Sequence, residues 1–461
     1  MRKVEWRRTG WVIAALLLGG FFLRWYFVRY QPFVAGDSGL YLDISQSWID
    51  AHTYGLSTDA APRPTLIRLP GYPMVLAAIQ LLFPSSAATA DGSGVFAIVM
   101  WLQVFVDLGT CLLVARLAWR NFGRRAGLAA LAMSTLCPFL ANYTAVPLTE
   151  TLVLFTIASA YWAADAWLRR PRTWAWIVAG FALACSILLR PDQGLLAAAV
   201  LPLFLRSGSH GLLRWRTALL CATLTALPLV PWTIRNARTF HVFQPLAPKS
   251  ATDPGEPYAK GFPRWYRTFA IDFATTQDAY WNYPEIAVDP NDLPSRAFES
   301  TSQRIATTLL LHRAAVAKKL VPDIEAGFSA LAAQRIHAHP LRYYIVLPVA
   351  RLVNMLLHPR VEMLPIDERW WRFDLHPGQT IFSTIYGLLN LGYLTLAAFG
   401  LRSALRSAPA ITASMCAFVL LRCCLLLTLD NAEQRYTMEF LPICIFLAAS
   451  CFAERTRRAI P

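Results

Sequence analysis

The chain has 461 residues, of which 56% are hydrophobic and 15% charged, where a soluble domain carries about 25% charged residues. That balance excludes a soluble enzyme built on one large core, because apolar runs of about 20 residues recur along the whole length. A net charge of +15 does not point to nucleic acid, since the basic residues sit in clusters between the apolar runs, the positive-inside pattern of a polytopic membrane protein.

In chain order, hydropathy predicts spans at about 11–29, 95–119, 126–142, 149–168, 174–190, 193–206, 217–234, 380–401, 409–428 and 436–453. With a cytoplasmic N-terminus, alternation places every basic cluster on the cytoplasmic side. These are Arg2/Lys3/Arg7/Arg8, Arg120/Arg124/Arg125, Arg169/Arg170/Arg172, Arg206/Arg214/Arg216, Arg402/Arg406 and Arg455/Arg457/Arg458. Both termini are then expected in the cytoplasm, at a plasma or inner membrane. Trp11–Val28 is long enough to stay as a span, and no small-residue cleavage site follows it. Arg24, near the outer end of that span, is expected to snorkel to the surface.

Two segments break the rhythm. Leu69–Phe83 is apolar but short and begins at Pro70-Gly71-Tyr72-Pro73, which predicts a membrane-edge helix inside the first outer loop, residues 30–94. Leu341–Leu357 carries Arg342 and Arg351, and counting it as a span would move Arg402 and Arg406 outside. It is therefore expected as an amphipathic helix against the membrane. Residues 245–294 are rich in Pro, Asp, Tyr and Trp and read as irregular, and 295–339 follow a helical pattern. The expected fold is an all-α polytopic membrane protein of about ten transmembrane helices, with juxtamembrane helices and a mainly helical outer subdomain. Its stretches are 1–235, 236–379 and 380–461. The nine cysteines lie in or beside apolar segments and support no disulfide framework.

The residues that carry chemistry face outward. Asp37, in Gly36-Asp37-Ser38-Gly39, reads either as the N-cap of a surface helix or as a general base for an acceptor hydroxyl or amine. Arg68 stands on the outer face against the general bias, as a headgroup anchor or as a clamp on a phosphate. Glu150 opens a span, where an acid suits the helix dipole, yet an acid at that depth also invites a functional reading. Arg190 and Arg235-Asn236 each end a span on the outer side, and Arg435-Tyr436 follows the last outer turn. Each alone reads as a snorkelling anchor; together with Arg68 they make a candidate anion site. His337 and His339 form a His-x-His pair with no acid nearby, weak grounds for a metal.

In order and context these residues resemble the GT-C membrane glycosyltransferases. The closest likeness is to the branch holding the dolichyl-phosphate-mannose–protein mannosyltransferases and the bacterial aminoarabinose and lipid A glycosyltransferases. The matching elements are Gly36-Asp37-Ser38, Arg68 before Pro70-Gly71-Tyr72-Pro73, Leu148–Thr151, Arg190-Pro191 and Arg435-Tyr436. The resemblance implies a polyprenyl-phosphate sugar as donor and an extracytoplasmic lipid, glycan or protein as acceptor. It implies inversion at the sugar, Asp37 as base, and Arg68, Arg190, Arg235 and Arg435 on the donor phosphate. Tyr41, Tyr72, Glu150, Asn236 and Tyr436 are supporting candidates. Many members carry Asp-Glu in the first loop; here Ser38 follows Asp37, which removes a second acid and leaves a divalent metal without clear ligands. The rivals are a transporter or flippase of lipid-linked sugars, a non-enzymatic envelope scaffold, and an O-antigen-ligase-like enzyme. A transporter needs acids near mid-bilayer, where Asp107 is the one candidate once Asp165 is assigned to a cytoplasmic span end.

Overall fold

The computed structural model describes residues 2–87, 89, 92–206 and 211–454. The cluster Arg455/Arg457/Arg458 lies outside the described residues, as do the side chains of Arg2, Lys3, Arg7 and Arg8. The protein is an all-helical, multi-pass membrane protein. Its β-structure among the described residues is one two-stranded ladder, Gly55–Leu56 against Arg63–Pro64. Among the described residues six helices are long and apolar enough to cross a bilayer: Thr9–Tyr30, Ser93–Phe122, Glu150–Arg169, Pro377–Ser407, Pro409–Leu426 and Gln434–Phe452. A bent pair, Arg214–Ala226 and Leu229–Phe240, adds a seventh when counted as one span; Pro228 and Pro231 stand at its 42° bend. The remaining expected spans are also helical but short or broken. They are Thr173–Leu189, Pro191–Leu205, and the pair Arg124–Thr135 and Pro138–Tyr143, where Pro138 starts a new helix.

The chain divides into two compact units. The first comprises Met1–Pro254, Gly392–Val419 and Met438–Pro461. Within it, Ser93–Phe122 turns into Arg124–Thr135 through Gly123, whose φ of 95° is open to glycine at little cost. The loop after the first span holds two helices, Gly36–Asp50 and Gly71–Leu82. The second matches the short membrane-edge helix expected from sequence. It packs so closely on the end of Thr173–Leu189 that a Cβ on Gly71 would lie 2.5 Å from the Leu188 carbonyl oxygen. A small core of Ile44, Tyr54, Leu66, Leu69 and Trp232 joins the loop to the helix Leu229–Phe240. That core fixes the path of residues 54–69, and so the place of Arg68.

Arg24 does not snorkel. It is fully buried and pairs with Asp107 of the second span, Nε to Oδ2 at 2.7 Å. Its Nη1 donates to the carbonyls of Gly20 at 2.8 Å and Thr135 at 2.7 Å. The physical reason is local: the helix Arg124–Thr135 ends beside it and presents carbonyls with no intrahelical donor, which a guanidinium satisfies.

The second unit comprises Gly255–Leu391 and Leu420–Thr437. Its core is aromatic, with Phe262, Trp265, Tyr266, Phe269 and Phe328 packed against an antiparallel helical pair, Thr301–Ala317 and Pro322–Ala338. Ser300 caps the first of these by accepting from the Gln303 backbone N–H, and Pro322 begins the second. Residues 341–357 are helical and two-sided. Tyr343, Leu347, Arg351 and Met355 are buried; Leu341, Ile345, Val349, Val353 and Leu357 are exposed. Arg351 points inward and donates to the Arg267 and Ala270 carbonyls, while Arg342 reaches Glu299 at 3.4 Å. The two arginines that interrupt the apolar run are thus used by this unit itself.

Candidate active site

Asp37 lies in the first turn of Gly36–Asp50, but it is not the cap. The N-cap position is Ala35, and Asp37 carries an ion pair instead. The reason is the chain's return path: the ladder at 55–64 brings Arg68 back over the helix start, where its Nη2 donates to Asp37 Oδ1 at 2.8 Å. Both side chains are about a quarter exposed, so the pair is reachable and not sealed within the fold.

A second charged group lies close by. Arg190 follows the helix Thr173–Leu189 and meets three carboxylates: Glu150 at 3.1 Å, Asp192 at 3.2 Å and Glu439 at 3.5 Å. Glu150 and Glu439 are buried. The amide of Gln193 donates to Glu439 at 2.6 Å and joins the last span to this cluster. Three acids around one guanidinium leave a local negative excess.

Tyr41 connects the two groups. Its phenol is pushed up to about 12 by burial, and Arg68, Asp37, Glu150 and Arg190 all act on it electrostatically. It therefore stays a neutral donor at ordinary pH. Its ring meets Tyr72 edge-on, with centroids 5.0 Å apart. Tyr72 in turn donates to Gln103 at 3.1 Å, and Gln103 holds the carbonyls of Thr144 and Val146 just before Glu150. Asp37, Tyr41, Arg68, Tyr72, Glu150 and Arg190, drawn from four distant stretches of sequence, therefore form one polar site in the first unit. Chemically it offers one accessible carboxylate, two cations and a neutral phenol.

Arg235 takes a different place. Its Nη1 donates to the Thr65 carbonyl at 2.7 Å and to Asn236 Oδ1 at 3.0 Å, and its Nη2 to the Tyr54 carbonyl at 2.6 Å. Asn236 is buried and donates to the Gln244 carbonyl. Both residues bind backbone in this structure. Arg235 also lines a groove of about 610 Å³ with Trp48, Tyr54, Pro70, Met74 and Trp232, within the usual size of a ligand pocket. Arg435 and Tyr436 belong to the second unit, where Arg435 pairs with Glu433 and the Tyr436 hydroxyl donates to Glu433 at 2.6 Å. Among the described residues no group of three or more His, Cys, Asp or Glu converges as a metal would require, His337 and His339 included.

Four residues that complete this region, Glu439, Gln193, Tyr54 and Asp253, do not stand out in the sequence. Glu439 leaves a faint signal, an acid one turn after Arg435 in an otherwise apolar span. Tyr54 leaves none.

Residues 72–234 match the model of the dolichyl-phosphate-mannose-protein mannosyltransferase family. The likeness to that family is confined to this segment, 163 of the chain's 461 residues. The segment runs from Tyr72 through Glu150 and Arg190, and stops one residue before Arg235. Among solved structures, AglB, an oligosaccharyltransferase from Archaeoglobus fulgidus in complex with an inhibitory peptide and a dolichol-phosphate, is 12% identical. That alignment covers 95% of this chain and 50% of the other, with a TM-score of 0.49. ArnT from Cupriavidus metallidurans in the apo state is 14% identical over 93% of this chain and 78% of its own, with a TM-score of 0.41. Bound to undecaprenyl phosphate, the same protein gives 13%, 94%, 78% and 0.42. The chain thus spans about half the length of the archaeal protein. No curated protein sequence matches it.

Proposed function

We propose that this protein is a GT-C glycosyltransferase that transfers a sugar from a polyprenyl-phosphate-linked donor to an extracytoplasmic lipid, glycan or protein acceptor, with inversion. The observation that carries this reading is the Asp37–Arg68 pair at the start of the first outer loop, acting on the same phenol as Arg190. The family segment, whose description names a dolichyl-phosphate sugar, supports a lipid-phosphate donor.

In this mechanism the acceptor hydroxyl or amine attacks the anomeric carbon and gives its proton to Asp37. The C–O bond to phosphate breaks, and the lipid phosphate leaves with the electron pair. Arg68 sits beside the base and meets the charge that develops on the leaving phosphate. Arg190, already shared among three carboxylates, orients Glu150 and the Tyr41 side of the site. No step runs through a metal ion. The groove beside Pro70 and Met74 is an apolar recess on the side of the loop where a lipid tail would lie. The spacing of the basic clusters supports cytoplasmic termini and an outer position for this loop. The transporter reading loses its main support, because Asp107 is already neutralised by Arg24.

The deciding experiment is lipid-linked sugar profiling in cells carrying the intact protein, Asp37→Asn, or no protein. The proposal expects one polyprenyl-phosphate sugar to accumulate equally in the last two, with loss of a sugar from one envelope glycan. Normal transfer by Asp37→Asn would refute Asp37 as the base.

A further inference from the structure

Arg68 is held from behind by Tyr54 and by the residues that brace Tyr54. The Tyr54 hydroxyl donates to the Arg68 carbonyl at 3.0 Å. The Tyr54 carbonyl accepts from the Thr65 backbone N–H at 3.1 Å and from Arg235 Nη2 at 2.6 Å. Arg235 Nη1 grips the Thr65 carbonyl, and Asp253 accepts from the Leu66 N–H at 2.8 Å and the Thr65 hydroxyl at 3.1 Å. The backbone from 65 to 68 is therefore fixed at each end and between.

The Tyr54 ring is equally constrained. It meets Trp48 and Trp232 edge-on, with centroids 5.2 and 5.1 Å away, and the Arg235 guanidinium lies 5.5 Å from its centre. That guanidinium also lies over Trp232 and Phe240. Burial pushes the Tyr54 phenol well above its ordinary range, so it remains a hydrogen-bond donor.

We infer that Tyr54 and Arg235 are positioning residues, a strut that sets the Arg68 guanidinium where it meets the donor phosphate. A planar fork fits this role, since Arg235 bridges two carbonyls on different turns of the chain, which an ammonium does not reproduce. The inference rests on the function proposed above, and it assigns Arg235 a role other than phosphate ligand.

The test is a double-mutant cycle on the binding of a long-chain polyprenyl phosphate to the full-length protein in nanodiscs. The proteins are wild type, Tyr54→Phe, Arg68→Ala and the pair, each checked for an unchanged melting temperature. Tyr54→Phe keeps the ring and removes one hydrogen bond, so its affinity should fall about 3- to 10-fold. In the Arg68→Ala background the same change should cost nothing further. Arg235→Lys, which keeps the charge, should match Tyr54→Phe and be equally silent without Arg68. Equal losses in both backgrounds, or no loss in the wild-type background, would overturn the strut while leaving the donor reading in place. A wild-type protein that binds no polyprenyl phosphate would overturn both.

Discussion

Arg24→Leu removes the positive charge paired with Asp107 inside the bundle, and the size of its penalty separates an anchor from a working group. Arg24 and Asp107 are both fully buried. The guanidinium gives Nε to Asp107, Nη1 to the Gly20 and Thr135 carbonyls, and Nη2 to the Ser134 carbonyl at 3.3 Å. One side chain thus ties the first span to the second and to the end of Arg124–Thr135. Removing one partner of a buried pair costs about 3–5 kcal/mol, because the remaining charge keeps its desolvation penalty. The Thr135 carbonyl, which accepts from Arg24 Nη1, loses that donor and adds to the cost. Asp107→Asn should cost less, about 1–3 kcal/mol, since an amide oxygen still accepts from Nε. In Arg24→Leu/Asp107→Leu no charge is stranded, so the pair should be more stable than Arg24→Leu alone, short of wild type by the lost bond to the Thr135 carbonyl. The assay is denaturant unfolding in mixed micelles at neutral pH, followed by tryptophan fluorescence. A penalty below about 1 kcal/mol for Arg24→Leu would refute the anchor, and Asp107 would return as a candidate transport acid.

Three further outcomes follow from the geometry. Arg190→Met leaves Glu150, Asp192 and Glu439 without their shared cation, so stability should fall by about 3–5 kcal/mol and partly recover when Glu439→Gln is added, read in the same unfolding assay. Gly71→Val should push the loop helix off the Leu188 carbonyl, reducing lipid-phosphate binding more than it changes the melting of the spans; an unchanged binding constant would show that the contact yields freely. His358, at the end of Leu347–Leu357, is lowered to about 4 by burial and by Arg360. Its folded form therefore binds fewer protons than the unfolded chain between about pH 6.5 and 4, and stability should fall as pH drops through that window. His358→Gln should flatten that part of a stability–pH profile.

The helical, multi-pass architecture was legible in the sequence because apolar runs long enough to cross a bilayer recur along it. Span breaks were less visible. Pro138 and Pro228 each interrupt a run whose hydropathy reads as continuous, since hydropathy averages over the bend. The charged residues of the candidate site were visible by type, as charges at membrane depth are costly and so stand out. Its partners were not. Arg24 and Arg235 carry the same charge at similar span positions as Arg190, yet one pairs inside the bundle and another binds loop carbonyls. Which acceptors an arginine meets depends on where helix ends and returning loops leave them unsatisfied, and only the folded chain settles that. Asp37 shows the same limit: its helix-start context suggested a cap, and the returning Arg68 made it half of an ion pair.

The Asp37–Arg68 bridge carries a consequence for the order of events. Arg68 lies 2.8 Å from Asp37, so the guanidinium already has a carboxylate partner before any phosphate arrives. A phosphate offers that guanidinium a bidentate partner of higher charge. Donor binding would therefore draw Arg68 toward the phosphate and loosen its bond to Asp37. The strut from Arg235 through Tyr54 fixes the Arg68 backbone, so such a swing is confined to the side chain. Both charges are about a quarter exposed, which leaves room for it. On this logic Arg68→Ala removes the phosphate contact and the bond to Asp37 together. Affinity for the lipid phosphate should then fall. If loss of Arg68 left phosphate affinity intact, the exchange of partners could not be what couples binding to the base.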